Sequence, residues 1–376
     1  MDTSPYRFLF SAVAFVLGAA IGSFLNVCIY RLPRDLSVNK PRRSFCPNCK
    51  KEIPWNQNLP LISWLALRGR CANCGAKIAF RYFGVELITA LLFFAIWRTF
   101  PPEIAIAYWI FASLLVVATF VDLEHFIIPD QVTIGGTIVG IIASFAVPEL
   151  MGTDSRLAAL VRSGLAAALG YVVLWIVLEG GKIAFGKKRI QLDTPTPFVW
   201  TRRGEDADFV VGEEQSLWSE YFAREKDRLL LHCNEAKIDN AEMIGAREGV
   251  RSRELGEIVL EFHYNRVNFD REEFSLDHVD RITGVVRELE IPREAMGRGD
   301  LKFLAAIGAF AGWRAVLFSI FAGSVLGSVV GLFSLVVGKR VWSAKLPFGP
   351  YLAVGALIWM FFGDFFIQWY FNLINP

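Results

Sequence analysis

The sequence lacks a charge imbalance, and it lacks charges over most of its length. Its 376 residues include 39 Lys or Arg and 37 Asp or Glu, so the net charge is only +2. Without a basic field to attract it, nucleic acid is not an expected partner. The charges are concentrated in two blocks, about 31–81 and 182–300. This pattern is typical of lipid-embedded segments separated by aqueous loops.

Two further absences bear on targeting and on cellular compartment. No basic region precedes the first apolar run, and no convincing small-residue cleavage site follows it, so we predict that 8–28 is a membrane span and not a removed signal peptide. The six cysteines are not spread out as in a secreted disulfide framework, since four of them form two close pairs. We therefore expect these four thiols to be reduced and to face the cytoplasm.

Apolar residues dominate the remainder of the chain, at 54% hydrophobic and 14% aromatic. A helix needs about 20 apolar residues to cross the hydrocarbon core of a bilayer. On this basis we predict an α-helical polytopic membrane protein with about eight spans: 8–28, 83–98, 104–121, 132–148, 157–180, 301–313, 315–337 and 348–373. Two of these are short, and 301–313 could instead fuse with the span that follows it.

The loops between the spans set the predicted orientation. The first loop, 31–81, carries eleven Lys and Arg but only two acids. Cytoplasmic loops are enriched in Lys and Arg, so this loop is expected inside and both termini outside. Counting the predicted spans onward from this loop places 122–131, 182–300 and the Lys339-Arg340 pair in the cytoplasm as well.

The second charged block contains short apolar runs that partly alternate with polar residues. Three runs are predicted strands: 228–232, 257–262 and 283–291. We therefore predict a small soluble α+β domain over 182–296, inserted between two membrane helices, with no catalytic motif of its own. Its histidines lack ligand spacing and are interpreted as surface or packing residues: His232, His263 and His278.

The strongest local motif is a tetrad of cysteines in the first loop. Cys46-Pro-Asn-Cys49 is followed after 21 residues by Cys71-Ala-Asn-Cys74. Two such pairs can surround one tetrahedral Zn²⁺. Because all four positions serve as ligands, we interpret the metal as structural. The alternative, two redox pairs, is disfavoured because neither motif opens a helix in a βαβ unit.

Two aspartates are predicted at the cytoplasmic ends of membrane spans. Asp122 directly follows the span 104–121, and Asp300 ends a Gly-Arg-Gly-Asp sequence just before 301–313. An ionisable residue at such a depth is costly and suggests function, although boundary acids often simply face water. Together the two carboxylates could hydrolyse a peptide, one as a base toward water and the other polarising the carbonyl. Asp130 is the rival for the first position.

Taken together, these motifs resemble those of the type IV prepilin peptidase family, which belongs to the wider group of Gly-x-Gly-Asp intramembrane aspartic proteases. The matching residues cover most of the membrane part: Gly22-Ser-Phe-Leu-Asn26-Val27, Arg31-Leu-Pro33, both cysteine pairs, Asn58-Leu-Pro60-Leu-Ile-Ser63-Trp64, Leu67-Arg-Gly69-Arg-Cys71, Ile78, Arg81-Tyr82, Glu86, Asp122-Leu-Glu-His, Pro129-Asp130, Met296-Gly-Arg-Gly-Asp300-Leu-Lys302 and Pro347-Phe-Gly349-Pro350-Tyr351.

The resemblance implies two activities. One removes the short basic leader of type IV prepilins or type II secretion pseudopilins after a Gly, with Asp122 and Asp300 as the catalytic residues. The other methylates the new N-terminal residue with S-adenosylmethionine and is associated with the cysteine loop, although no Gly-rich nucleotide loop is visible in 1–100. The implied location is the bacterial inner membrane, with lipid and prepilins as partners.

The spans, the charged blocks and the motifs together predict the domain organisation: a first transmembrane helix (1–30), the zinc-binding loop (31–82), helices with the first aspartate (83–181), the insert (182–296) and the second aspartate with the last helices (297–376). The chain departs from the family pattern at Arg298, at Phe83 and in the length of the insert, whose role is open. Two alternatives remain: a leader peptidase without methyltransferase activity, and a non-enzymatic membrane scaffold with a zinc ribbon.

Overall fold

The computed structural model describes residues 5–41, 44–46, 48–185, 187–203, 206–222, 228–241, 250–269, 272–292, 297–336 and 347–374. The chain divides into two compact units. The first comprises Met1–Trp175 and Met296–Pro376, and the second comprises Ile176–Ala295. The helix that contains the boundary at Trp175 contributes to both.

Helices form the first unit. In chain order the α-helices are α1 (Pro5–Arg31), α2 (Ile62–Ala66), α3 (Phe80–Thr99), α4 (Pro102–His125), α5 (Asp130–Ala146), α6 (Arg156–Phe185), α7 (Arg298–Val336) and α8 (Gly349–Ile374). Prolines mark several starts, as at Pro102, where the missing backbone N–H would have no partner within the helix.

Among the described residues, six helices are long and apolar enough to cross a membrane: α1, α3, α4, α6, α7 and α8. The helix α5 is apolar but has only 17 residues. Large apolar side chains such as Leu157, Phe321 and Phe333 point outward and are exposed by more than half their surface. Exposed apolar surface on this scale is typical of a lipid-facing bundle and is uncommon on a soluble monomer. These helices support the prediction of a polytopic membrane protein. Six of the described helices are long enough to span, compared with the eight or so spans predicted from sequence.

Glycines allow α1 and α3 to pack at very short range. A Cβ atom on Gly18 would lie 2.8 Å from Ala90 Cα, and one on Gly22 would lie 2.7 Å from Glu86 Cα. The residue number in α3 falls from 90 to 86 as the residue number in α1 rises from 18 to 22, so the two helices are antiparallel. The spacing of the two glycines is the small-xxx-small pattern that lets helix backbones approach in a membrane.

The helix α7 contains a break at Gly312, whose backbone angles (φ 78°, ψ 175°) are not helical. The break interrupts the backbone hydrogen bonding of the preceding turn. There the carbonyl of Ala309 accepts hydrogen bonds from two serine hydroxyls, Ser144 Oγ on α5 at 2.9 Å and Ser163 Oγ on α6 at 2.8 Å. Side chains of neighbouring helices satisfy freed backbone groups in this way within an apolar bundle.

The contacts of α7 show that it leaves one face of the bundle and returns to it. Its start lies beside the start of α5, because Lys302 Nζ contacts Asp130 at 2.6 Å. Its second half runs antiparallel to α8, since Gly323 lies against Tyr351 while Gly355 lies against Ser319. The start of α8 is on the same face as the end of α4, because the backbone N–H of Gly349 donates a hydrogen bond to Asp122. The reversal therefore occurs at Gly312.

The second unit is built on a nine-stranded antiparallel sheet. Its strands are β1 (Lys187–Arg203), β2 (Asp206–Val211), β3 (Glu214–Leu217), β4 (Leu229–Ala241), β5 (Val250–Leu255), β6 (Ile258–Phe262), β7 (Arg266–Phe269), β8 (Glu272–Ser275) and β9 (Arg281–Pro292). Their order is β3-β2-β1-β9-β4-β6-β7-β8, with β5 paired to β4. Alternate apolar side chains bury one face, as Phe198 and Trp200 do in β1.

The three strands predicted from sequence are present in β4, β6 and β9. The α+β prediction for this block was wrong, because its described residues from 187 to 292 form strands and short 3₁₀ turns without an α-helix. The apolar residues there recur at every second position, as Ala207 and Phe209 do in β2. That period buries one face of a strand and cannot bury one face of a helix.

Replacing Gly170 by Ala is expected to destabilise the first unit. A Cβ atom there would lie 2.6 Å from the carbonyl oxygen of Leu304, so α6 and α7 would have to separate. Overpacking of this kind costs about 1–3 kcal/mol, to be measured by thermal unfolding in detergent. The matched control on the same helix is Gly164→Ala, where no atom lies within 4 Å of the added Cβ. Equal unfolding temperatures for the two variants would contradict the packing argument.

Candidate active site

The two predicted aspartates lie at helix ends on the same face of the first unit. Asp122 is in the last turn of α4, and Asp300 is in the first turn of α7. Both are buried, with exposed fractions of 5% and 7%. Burial of two carboxylates among apolar helices is costly unless they are bonded or functional.

Asp122 is held by the first residue of α8. The backbone N–H of Gly349 donates a hydrogen bond to Asp122 Oδ2 at 2.9 Å, in a buried position. A Cβ atom on residue 349 would lie 2.8 Å from the same oxygen. Only glycine allows the amide to approach this closely, which explains the residue type at this position.

Ile128 connects the surroundings of the two carboxylates. A Cβ atom on Gly349 would lie 3.0 Å from Ile128 Cδ1, and one on Gly299 would lie 3.3 Å from Ile128 Cβ. Gly299 immediately precedes Asp300, whose carboxylate accepts a backbone hydrogen bond from Gly297. Asp122, through Gly349, and Asp300, through Gly299, therefore both border the same side chain, Ile128. The folded chain thus brings together two residues that are 178 positions apart.

Asp130, the rival for the first position, occupies a different setting. Its Oδ1 forms an ion pair with Lys302 Nζ at 2.6 Å, and its side chain is 60% exposed. A second ion pair lies nearby, in which Arg81 Nη1 at the start of α3 contacts Glu124 Oε2 at the end of α4 at 2.5 Å. These pairs join helix starts and ends at the face that carries the aspartates.

The arrangement suits acid–base hydrolysis. One buried carboxylate can take a proton from water while the other, protonated, polarises a carbonyl group. The amide of Gly349 can keep Asp122 oriented during such a reaction.

The four predicted cysteine ligands converge in the loop between α1 and α3. Their sulfur atoms all lie within 4.8 Å of one another, and Cys46 Sγ is 3.9 Å from Cys74 Sγ. Four sulfurs at about 2.3 Å from a central Zn²⁺ would be separated by just under 4 Å. The tetrad therefore fits a tetrahedral metal.

The two halves of the tetrad share one local geometry. In each, the residue after the second cysteine has a positive φ, 57° at Lys50 and 70° at Gly75, and its N–H donates to the carbonyl of the first cysteine. Hydrogen bonds from the Lys51 backbone and the Asn73 side chain lower the pKa of Cys49 to about 6. A thiolate at neutral pH is the form that binds a metal.

A further group of possible ligands lies in the second unit. His232 on β4 and Glu288 and Glu290 on β9 have ligand atoms within 4.8 Å of one another. Arg189 Nε also contacts Glu290 Oε1 at 2.7 Å and balances part of the charge. The sequence interpretation missed this group because the pairing of β4 with β9 decides it, although Glu288-x-Glu290 on one strand face is a weak signal.

Two family profiles match the sequence of the chain. The profile of the bacterial peptidase A24 N-terminal domain matches residues 16–100, and that of the type IV leader peptidase family matches 109–190 and 284–332. The two profiles cover both aspartates and the cysteine tetrad. Most of the nine-stranded sheet lies between the two matched parts of the second profile.

Several curated proteins are similar to the chain. A prepilin leader peptidase/N-methyltransferase of Aeromonas hydrophila is 28% identical over 386 residues, which cover 96% of this chain and 94% of that protein. The protein of the same name from Myxococcus xanthus is 42% identical over 189 residues, 48% of this chain and 53% of that protein. The protein of the same name from Neisseria gonorrhoeae is 32% identical over 200 residues, which cover 46% of this chain and 67% of that protein. No solved structure matched.

Fold and site together define a polytopic membrane protein with two buried carboxylates at one helix-end face and a loop whose four cysteines could hold a metal ion. The chain belongs to the type IV leader peptidase family. The resemblance noted in the sequence is thereby confirmed.

On the hypothesis that Asp122 is catalytic, Gly349→Ala is expected to lower peptidase activity about 10- to 100-fold, because displacing a catalytic group by about 1 Å can have an effect of this size. The measurement is the rate of leader removal from a prepilin. Gly135→Ala on α5 is the control, since no atom lies within 4 Å of its added Cβ. Unchanged kcat in Gly349→Ala would show that Asp122 does not depend on this hydrogen bond.

Purified protein is expected to contain about one zinc ion per chain, and Cys71→Ser is expected to lose it and to unfold at a lower temperature. Elemental analysis and thermal unfolding provide the measurements. Cys28→Ser is the matched control, because Cys28 lies on α1 outside the tetrad. Retention of zinc and stability by Cys71→Ser would show that the tetrad is not a metal site.

Proposed function

We propose that the chain is a bifunctional enzyme that removes the basic leader of type IV prepilins or type II secretion pseudopilins and methylates the new N-terminus. In this proposal Asp122 and Asp300 are the catalytic residues. The observation that carries it is the burial of both carboxylates on one face, with Asp122 fixed by the Gly349 amide. The family and the names of the relatives support the same activities.

Cleavage would proceed as a general acid–base hydrolysis. The ionised carboxylate takes a proton from a water molecule as that water attacks the carbonyl carbon of the scissile bond. The protonated carboxylate donates its proton to the carbonyl oxygen, and collapse of the tetrahedral species passes a proton to the leaving amine. The two carboxylates would then lie within water-bridging distance, about 3–7 Å apart, as in other enzymes with paired acids.

Asp122 is preferred to Asp130 for a physical reason. Asp130 is mostly exposed and ion-paired with Lys302. A carboxylate that faces water and is held by a lysine ammonium group is poorly placed to exchange protons with a substrate in a dry site. The Asp130–Lys302 pair instead fastens α5 to α7 beside the active site.

The helix arrangement supports eight membrane crossings with the aspartates at the cytoplasmic side. The reversal of α7 at Gly312 divides it into two crossings, which together with α5 and the five other long helices make eight among the described residues. The basic loop 31–81 favours the cytoplasm for the face with Asp122 and Asp300. We place the enzyme in the bacterial inner membrane, surrounded by lipid and without a role in binding nucleic acid.

The cysteine loop is proposed to hold one structural zinc ion and to form part of the methyltransferase. S-adenosylmethionine would supply a methyl group on a sulfonium sulfur, and transfer to an amine leaves a thioether and a released proton. The tetrad uses all four sulfurs as ligands, so its contribution is to fix the loop. A scaffold with a zinc ribbon would need no buried carboxylate pair, which favours the enzyme over that alternative.

The deciding experiment is leader cleavage of a prepilin by Asp122→Asn, Asp300→Asn and Asp130→Asn, each assayed with and without S-adenosylmethionine. Loss of an essential acid or base is expected to slow cleavage roughly 10²- to 10⁴-fold in the first two variants, with Asp130→Asn within a few-fold of wild type. Full activity of Asp122→Asn would overturn the assignment. If the wild type cleaves the prepilin but does not methylate it, the chain is a leader peptidase without methyltransferase activity.

A further inference from the structure

A cavity lies between the cysteine loop and the loop-facing ends of α1 and α3, apart from the carboxylate pair. Its volume is about 330 Å³. Small-molecule sites usually fall between about 300 and 1,000 Å³ and are mostly apolar with a few placed polar groups. Asn26, Glu86 and Trp64 are among the residues that line this cavity, and neither Asp122 nor Asp300 is.

Asn26, which lines this cavity, has an unused hydrogen-bond acceptor. Its Nδ2 donates to the backbone carbonyl of Tyr82 at 2.9 Å, which extends the close packing of α1 on α3. Its Oδ1 is buried without a hydrogen-bond partner, and the residue is only 4% exposed. A buried acceptor left open is costly, so it calls for an explanation, and a bound ligand that donates to it would provide one.

Glu86 supplies a negative charge to the same cavity. Its Oε2 accepts a hydrogen bond from the backbone N–H of Leu61 at 2.7 Å, and the Ser23 side chain bonds the same carboxylate. Leu61 itself has a positive φ of 63°, so the loop adopts a strained conformation to make this contact. These bonds orient the carboxylate but do not neutralise it.

Aromatic rings complete the apolar part of the lining. Trp64 packs on Phe83 with ring centroids 5.2 Å apart, and its Nε1 donates to the Ile78 carbonyl at 3.4 Å. Gly69 lies under the Trp64 ring, where a Cβ atom would be 2.8 Å from Cζ2. Flat, fixed rings of this kind stack on heteroaromatic rings and attract cations through their faces.

The cysteine tetrad forms one wall of the cavity, because Cys46 and Cys71 also line it. The start of the loop is fixed separately, since Arg31 Nη1 donates to the carbonyls of Ser37, Val38 and Pro41. A metal on the four sulfurs would therefore hold this wall of the cavity in place.

We propose that this cavity binds S-adenosylmethionine, with Asn26 Oδ1 accepting a hydrogen bond from the cofactor and Glu86 facing its positive charge. The proposal rests on the methyltransferase part of the proposed function and assigns a place to it. The lining fits this class of ligand: aromatic faces for an adenine ring, one carboxylate for a sulfonium or ammonium cation, and one open acceptor for an N–H group.

The test is equilibrium dialysis of radiolabelled S-adenosylmethionine against the purified full chain in detergent. Wild type is expected to bind one equivalent, and Glu86→Gln to bind at least tenfold more weakly. Gln keeps an oxygen for the Leu61 N–H, so the loop is expected to stay folded. Asn26→Ala is a second variant, and it is also expected to bind S-adenosylmethionine more weakly than wild type. Glu103→Gln is the matched control, an exposed glutamate in the first turn of α4 that is expected to bind like wild type.

Zinc content and unfolding temperature identify variants that fail to fold. If wild type cleaves a prepilin but binds no cofactor, the cavity assignment is wrong and the peptidase stands. If the same preparation neither cleaves nor binds, the proposed function fails with it. Wild-type affinity in both folded variants would overturn the assignment. A raised KM for the amine substrate with unchanged cofactor affinity in Glu86→Gln would assign the cavity to the peptide N-terminus instead.

Discussion

The hydrogen bond from the Gly349 amide to Asp122 is the contact on which the geometry of the site depends. It joins the end of α4 to the start of α8, and it satisfies a carboxylate that is almost fully buried. A buried carboxylate among apolar helices needs such a donor, and a backbone amide provides one that cannot rotate away. Ile128 fills the space between this contact and Gly299, so the position of Asp300 follows from the same packing.

Close approach of helix backbones repeats this principle through the first unit. Gly18, Gly22, Gly170 and Gly308 all lie where an added Cβ would be within 3 Å of a neighbouring atom. In lipid the hydrophobic effect gives helices little reason to associate, so backbone proximity and interhelical hydrogen bonds hold them together. The two serines that bond the Ala309 carbonyl are part of this system, because they allow α7 to reverse inside the bundle.

The two candidate sites are separate in their residues but share a supporting helix. Along α3, Arg81 bonds Glu124 near the carboxylate pair, while Tyr82, Phe83 and Glu86 contribute to the cavity. One activity would remove the leader and the other would modify the amine that this exposes. A common rigid helix keeps both sites in fixed positions within the first unit, while each uses its own chemistry.

Residue types and spacing alone determined a great deal. The apolar runs predicted helices in a membrane, the paired cysteines predicted a four-sulfur site, and the period of two in 257–262 predicted a strand. Because these signals are local, they survive without knowledge of the fold. Other features were settled only by tertiary contacts: the reversal at Gly312, the burial of Asp122 in contrast to the exposure of Asp130, the strand order among the described residues from 187 to 292, and the cavity around Asn26 and Glu86. Each of these depends on which distant segments pack together, and a glycine or an asparagine in a sequence does not reveal its neighbour.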